Sequence, residues 1–121
     1  MIHLVPRTDW EARPDEPYRP ASLDAEGFVH CAGDDTVALA VANAFYRDAP
    51  RPLLALVLDE DALDATVRWE AADPAPPAGV GDDVLFPHVY GPLRREAVEE
   101  LQVVRWDDAD RAVALEPYTP H

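Results

Sequence analysis

The chain has no lysine. All ten basic residues are arginine, set against 24 acidic ones, for a formal net charge of −14. The absence of lysine excludes Schiff-base chemistry by a side-chain amine. The acidic excess argues against a general nucleic-acid surface or an anionic-membrane surface, since either needs a cationic patch. A local group of arginines would still suffice for one phosphate. The single cysteine, Cys31, excludes an intramolecular disulfide and a cysteine-rich zinc site. No stretch approaches the roughly 20 apolar residues of a spanning helix, and no basic segment followed by an apolar run marks a signal peptide. The expectation is a soluble, cytoplasmic protein with no membrane partner. Neither G-x-G-x-x-G nor a Walker-type loop occurs, so a standard nucleotide fold is not indicated.

What is present is enough for a core. A chain of 121 residues with 48% hydrophobic content reads as one domain over 1–121, with its core at about 2–116. Ile2-His3-Leu4-Val5 reads as a first strand, His3 and Val5 on one face and Ile2 and Leu4 on the other. Thr8 and Glu11 form a capping-box pattern for a short helix that ends at Pro14 and Pro17. Ser22 caps a helical turn closed by Gly27, and Phe28-Val29-His30-Cys31 follows as a strand. Asp34 caps the clearest helix, with Val37, Val41, Ala44 and Phe45 at helical spacing and an end near Arg47. Leu53 to Leu58 is a continuous apolar run, suited to a strand buried on both faces. Further strands are expected at 66–70, 84–90, 101–106 and 112–115, with a helical turn at 94–99. Residues 71–83 read as an exposed loop and 117–121 as a frayed tail. The sum is an α+β fold with one long helix and one or two short ones.

Four histidines stand out, and terminal His121 is set aside. His3, His30 and His88 each sit in an apolar, strand-like segment, where a histidine needs hydrogen-bond partners or a cavity. Each alone is adequately explained as a core-edge residue bonded to backbone. Three in separate strands are more naturally explained by one shared pocket. No pair lies at a metal-binding spacing, so no metal is expected. Strand periodicity points Cys31 away from the face of His30, which leaves it without a base. Tyr90, two residues after His88, shares its face and is a candidate to stack on a ligand ring, or else a core tyrosine. Glu70 is either a general base, a ribose-binding carboxylate or a solvated strand end. Arg7, Arg19 and Arg68 are candidates for a phosphate or carboxylate.

Ile2-His3-Leu4, Trp10, Tyr18-Arg19-Pro20-x-Ser22-Leu23-x-x-Glu26-Gly27-Phe28-Val29-His30-Cys31, Arg68-Trp69-Glu70 and Phe86-Pro87-His88-Val89-Tyr90-Gly91-Pro92 together resemble a small bacterial family, domain of unknown function 952. The resemblance runs from residue 2 to about 104. Ala32 stands where that family usually has serine. The resemblance implies an ADP-ribosyltransferase-like fold, a small split, mostly antiparallel β-sheet whose cleft holds NAD. It implies His3, His30 and His88 as the catalytic residues, in the first, second and third signature positions. Many ADP-ribosyltransferases carry glutamate at the third position, where this chain has His88, and Glu70 is the candidate replacement.

The function expected on this basis is transfer of ADP-ribose from NAD to a small or phosphate acceptor. Tyr90 would hold the nicotinamide and Ser22 or Arg19 a phosphate. Two alternatives use the same pocket. One is a non-NAD acid–base enzyme of small-molecule metabolism, with His30 and His88 as the proton-transfer pair. The other is a ligand-binding module without turnover.

Overall fold

Short apolar runs broken by proline and glycine make short strands. A computed structural model describes residues 1–72 and 75–119. The described residues form β1 (Ile2–Pro6), β2 (Val29–His30), β3 (Leu53–Leu58), β4 (Thr66–Ala71), β5 (Leu85–Tyr90), β6 (Val98–Trp106) and β7 (Ala112–Pro117). The helices are α1 (Arg7–Glu11), α2 (Ala21–Glu26) and α3 (Asp35–Phe45). The strands pair antiparallel in two sheets, ordered β1-β3-β6-β7 and β2-β5-β4. The expected small α+β architecture, with one longer helix and two short ones, is therefore present.

β3 lies between β1 and β6, and its apolar run is buried on both faces as its sequence requires. One face carries Leu53 and Ala55. With Ile2, Leu4 and Val104 they form a cluster against Ala38 and Ala42 of α3. The other face carries Leu54, Leu56 and Leu58, which join Val5, Trp10 and, from the smaller sheet, Val29 and Val89. The small sheet thus buries its valine face on the large one, which leaves its opposite face for function.

The two sheets meet at one point. Ile2 and Ala32 exchange backbone hydrogen bonds of 2.8 and 2.7 Å. Pro87 explains why the chain crosses there. Its carbonyl accepts from Cys31 N at 3.1 Å, so its nitrogen faces the same way and offers no N–H in return. Pairing of β2 with β5 stops at His30 opposite His88, and the next residues move to β1.

Several local expectations are corrected. α1 begins directly after Pro6, with no side-chain cap, and ends at Glu11 before either proline. Thr8 lies inside it, and Glu11 pairs with Arg7 at 3.7 Å instead of closing a capping box. α2 begins at Ala21, so Ser22 is a helical residue and not a cap. The buried stripe of α3 is Ala38 and Ala42, which let the helix approach the sheet closely. Phe45 is 68% exposed, and the helix stops there, before Arg47. Strand β6 absorbs Val98–Glu100, leaving a 3-10 turn of Arg95–Ala97. Part of the 71–83 segment folds inward, because Pro77 is buried. In the tail, Pro117 ends β7 and Tyr118 N bonds Leu101 O at 3.0 Å, so both are held. His121, like Asp73, Pro74 and Pro120, lies outside the described residues.

Two local devices hold as expected. The Asp34 carboxylate accepts from Val37 N at 2.9 Å and caps α3. Gly27, at φ +87°, ends α2 in the left-handed region, its N–H bonded to Leu23 O at 2.9 Å. Asp34→Ala should lower unfolding stability by about 1 kcal/mol. Gly27→Ala should lower it by about 1–2 kcal/mol through backbone strain alone, since its added methyl meets open space. Urea unfolding of both variants checks the two values.

Candidate functional site

The face of the small sheet turned away from the large one is set by strand register. His30 of β2, His88 of β5 and Arg68 of β4 lie directly opposite one another across the three strands. Period two adds Phe28, Phe86, Tyr90 and Glu70 to that face. The His30–His88 pair flanks the hydrogen-bonded Cys31–Pro87 position. It is therefore the closely spaced kind of cross-strand pair, and the two rings lie 5.6 Å apart at 74°.

Each of these histidines is tied to a glutamate. His88 Nδ1 bonds Glu70 Oε1 at 2.9 Å, and the Tyr90 hydroxyl donates to the same oxygen. The Tyr90 bond first, then the His88 bond, hold the Glu70 carboxyl below its ordinary range. The same bond pushes the Tyr90 hydroxyl up and keeps it protonated. An ionised Glu70 accepts from Nδ1–H, which fixes the His88 tautomer and leaves Nε2 with a lone pair. Nε2 has no hydrogen-bond partner among the described residues. The Phe28 ring stacks on His88 at 4.2 Å and 27°, which sets its plane. On the other strand, His30 Nε2 bonds Glu26 at the end of α2, leaving Nδ1.

The two histidines border a cavity of about 320 Å³, at the junction of the sheets beside α3. His30, His88 and Glu26 line it on the polar side. Ile2, Leu4, Val41 and Phe45 line the apolar side, and Ala72, Ala75 and Pro77 close over it. The exposure of Phe45 and the inward turn of Pro77 both follow from this cavity. Small-molecule pockets run at about 300–1,000 Å³, so this one suits a single-ring ligand. Among the described residues, no arginine lines it, and its one carboxylate is Glu26.

The structure brings together His30, His88, Glu70 and Tyr90. His3 stands apart. It shares the face of Val5, beneath the junction, and packs near Tyr18 at 5.9 Å. Its Nδ1–H donates to the His30 carbonyl at 2.7 Å, so it braces the β2 backbone from behind. Arg19 is ion-paired with Asp24 at 3.1 Å, and Arg7 bonds the Tyr118 hydroxyl; neither reaches the cavity. Ser22 lies on α2, away from the lining. Cys31 is buried, which pushes its thiol up to about 12 and makes it inert as a nucleophile at neutral pH. Among the described residues, no three His, Cys, Asp or Glu side chains converge to hold a metal.

Glu26, Phe28, Phe86 and Tyr46 also belong to the site, and sequence reasoning gave them no role. For Phe28 the signal was available, since it lies two residues before His30 in the same extended segment. Tyr46 lines the cavity from just beyond α3, its hydroxyl pushed up by burial.

Fold and site define a two-sheet α+β protein with a histidine–carboxylate cavity where its sheets join. The chain belongs to the family described as protein of unknown function (DUF952), whose profile matches residues 4–101. No curated protein matches it. Among solved structures it is similar to protein CC0527 from Caulobacter crescentus, at 23% identity and a TM-score of 0.72. The alignment covers 93% of this chain and 91% of that one. A double mutant of CC0527 matches with the same values. At this identity the likeness shows the fold.

His3 makes stability depend on pH. Burial lowers it from 6.5 to about 4, so it is neutral when folded, whereas the unfolded chain binds its proton below 6.5. Its contribution is complete above pH 6.5 and is lost as pH falls through about 4, by about 3 kcal/mol in all. His3→Asn, which keeps a donor for the His30 carbonyl, should remove this slope. Urea midpoints of both proteins between pH 7 and pH 4 provide the comparison.

Proposed function

We propose that this protein is an acid–base enzyme acting on a small, single-ring or branched molecule held in the cavity. The observation that carries this reading is the Tyr90–Glu70–His88 chain. A carboxylate fixed by a tyrosine orients one imidazole, stabilises it once protonated, and leaves Nε2 bare beside the cavity. His88 is the base. It takes a proton at Nε2, and Glu70 offsets the charge that forms. His30, when protonated, delivers the proton on Nδ1 while Nε2–H remains on Glu26. The apolar wall of Ile2, Leu4 and Phe45 excludes water from the other side of the ligand.

The test is proton exchange in heavy water, followed by NMR on a panel of small carbonyl compounds. The wild-type protein should accelerate exchange at a carbon next to a carbonyl for at least one of them. His88→Gln and His30→Gln should each reduce the rate about 100-fold or more, and Glu70→Gln by a smaller factor. A panel without any exchange above buffer would sink the proposal.

NAD-dependent ADP-ribosyl transfer on an ADP-ribosyltransferase-like fold is the second reading. Its support is the split between two antiparallel sheets, with aromatic Phe28 and Tyr90 beside the histidines. The engagement of Glu70 with His88 and Tyr90 weighs against it, since that carboxylate is not free for a ribose hydroxyl. Calorimetric titration with NAD separates the two. The acid–base reading expects no heat at millimolar NAD, and a saturable one-site isotherm would favour the second.

A further inference from the structure

The arginines of this chain are not equivalent. Nine of the ten are spoken for by a carboxylate, a carbonyl or a hydroxyl of the protein. The exception among the described residues is Arg68. It makes no ion pair or hydrogen bond there, and its guanidinium sits 5.4 Å from the centre of the Tyr90 ring. In a chain of net charge −14 with 24 carboxylates, an arginine left without one is conspicuous. It is the more so on this face. Glu70 on the same face is engaged by Tyr90 and His88 and meets Arg68 only through space.

The position of Arg68 is fixed by register. It is directly opposite His88, which is directly opposite His30, so the three side chains form a row across the sheet. Adjacent strands lie about 5 Å apart. One end of the row, at His30, opens into the cavity, and the other end, at Arg68, is exposed to solvent.

We infer that Arg68 is the anion-recognition residue of this site, and that its ligand carries a carboxylate or phosphate group. This inference rests on reading the face as a substrate site. The anionic group lies at the exposed end of the row, about one strand spacing beyond His88, while the reacting part lies in the cavity that both histidines line. A guanidinium meets either oxyanion through paired N–H donors, and the Tyr90 ring beneath it keeps the fork oriented. The acidic surface gives this single charge its selectivity. Elsewhere the protein field repels anions, so an anion is retained only where a specific donor holds it.

The experiment titrates sodium phosphate and sodium acetate separately into the full chain. NMR follows the Arg68 Nε–H and the His88 ring. The expected result is a saturable shift at both residues, and in Arg68→Gln the His88 ring should need about tenfold more anion or show no saturation. It should be unchanged in Arg105→Gln, whose arginine is paired with Glu116 on the other sheet. A stronger response to phosphate assigns a phosphorylated ligand, and a stronger response to acetate assigns a carboxylate; each supports the inference. Absence of saturation with both anions, or shifts that survive Arg68→Gln, would overturn it. The measurement needs no turnover. An anion site in a protein without proton transfer would leave this inference standing and remove only the acid–base reading.

Discussion

Two backbone hydrogen bonds between Ile2 and Ala32 hold the architecture together at the point that matters. They join a four-stranded sheet to a three-stranded one through a single residue pair. The junction exists because Pro87 has no N–H to give. Were β2 able to continue along β5, Cys31 and Ala32 would stay in the small sheet and β1, still paired with β3, would lose its bridge to Ala32. Instead β2 is only two residues long. The side chain of its second residue, His30, stands at the step between the sheets. A cavity forms at that step because α3 packs on one sheet and stops short of the other. The site is therefore a consequence of a strand that cannot be extended.

The sequence showed the strands far better than the faces. Ile2–Val5 and Leu53–Leu58 were legible from apolar periodicity and run length, which are local properties. Adjacent strand residues point oppositely, and Cys31 does join the core beneath the small sheet, but it also lines the cavity together with His30. Periodicity also paired His3 with Val5. It could not say that this face lies under the small sheet while Ile2 and Leu4 face the cavity, because that depends on which layer covers which. The shared pocket expected for three histidines thus holds two, with the third behind them. Phe45 was placed in the core by its spacing, yet the cavity beside it leaves nothing to bury it. The capping box at Thr8 failed because the helix starts at Arg7, directly after Pro6, so Thr8 is already a helical residue. Pro77 and Tyr118 were placed in an exposed loop and a frayed tail, and each is held by a long-range contact that composition does not encode.

His3 nonetheless belongs to the same arrangement. Its neutral ring donates to the carbonyl of His30, the residue whose side chain faces the cavity from the other side of the strand. A two-residue strand has little cooperative pairing of its own. This buried bond holds the β2 backbone against β1, as the Ile2–Ala32 bridge does one step further on. Burial keeps His3 uncharged, so the brace adds no positive charge beneath the histidines proposed to transfer protons.

The two histidine–glutamate pairs differ in how firmly they are held, and the difference matches the roles proposed for them. Glu70 and His88 project from adjacent strands of one sheet, with a tyrosine and a stacked phenylalanine fixing both partners, and the His88 side chain is 7% exposed. A base in that setting has one tautomer and one orientation before any ligand arrives, which is what proton abstraction needs. Glu26 and His30 are joined instead by a four-residue step that runs through the left-handed Gly27, and the His30 side chain is 46% exposed. Nothing stacks rigidly over that pair: the Phe28 ring is tilted 57° to His30. A proton donor can accept this looseness, because it must follow the ligand as charge shifts and then recover its proton from solvent. The rigid half of the site is built from sheet register, and the adjustable half from a helix end and a glycine. The same short connection that brings His30 to the junction therefore also gives it the freedom that His88 lacks.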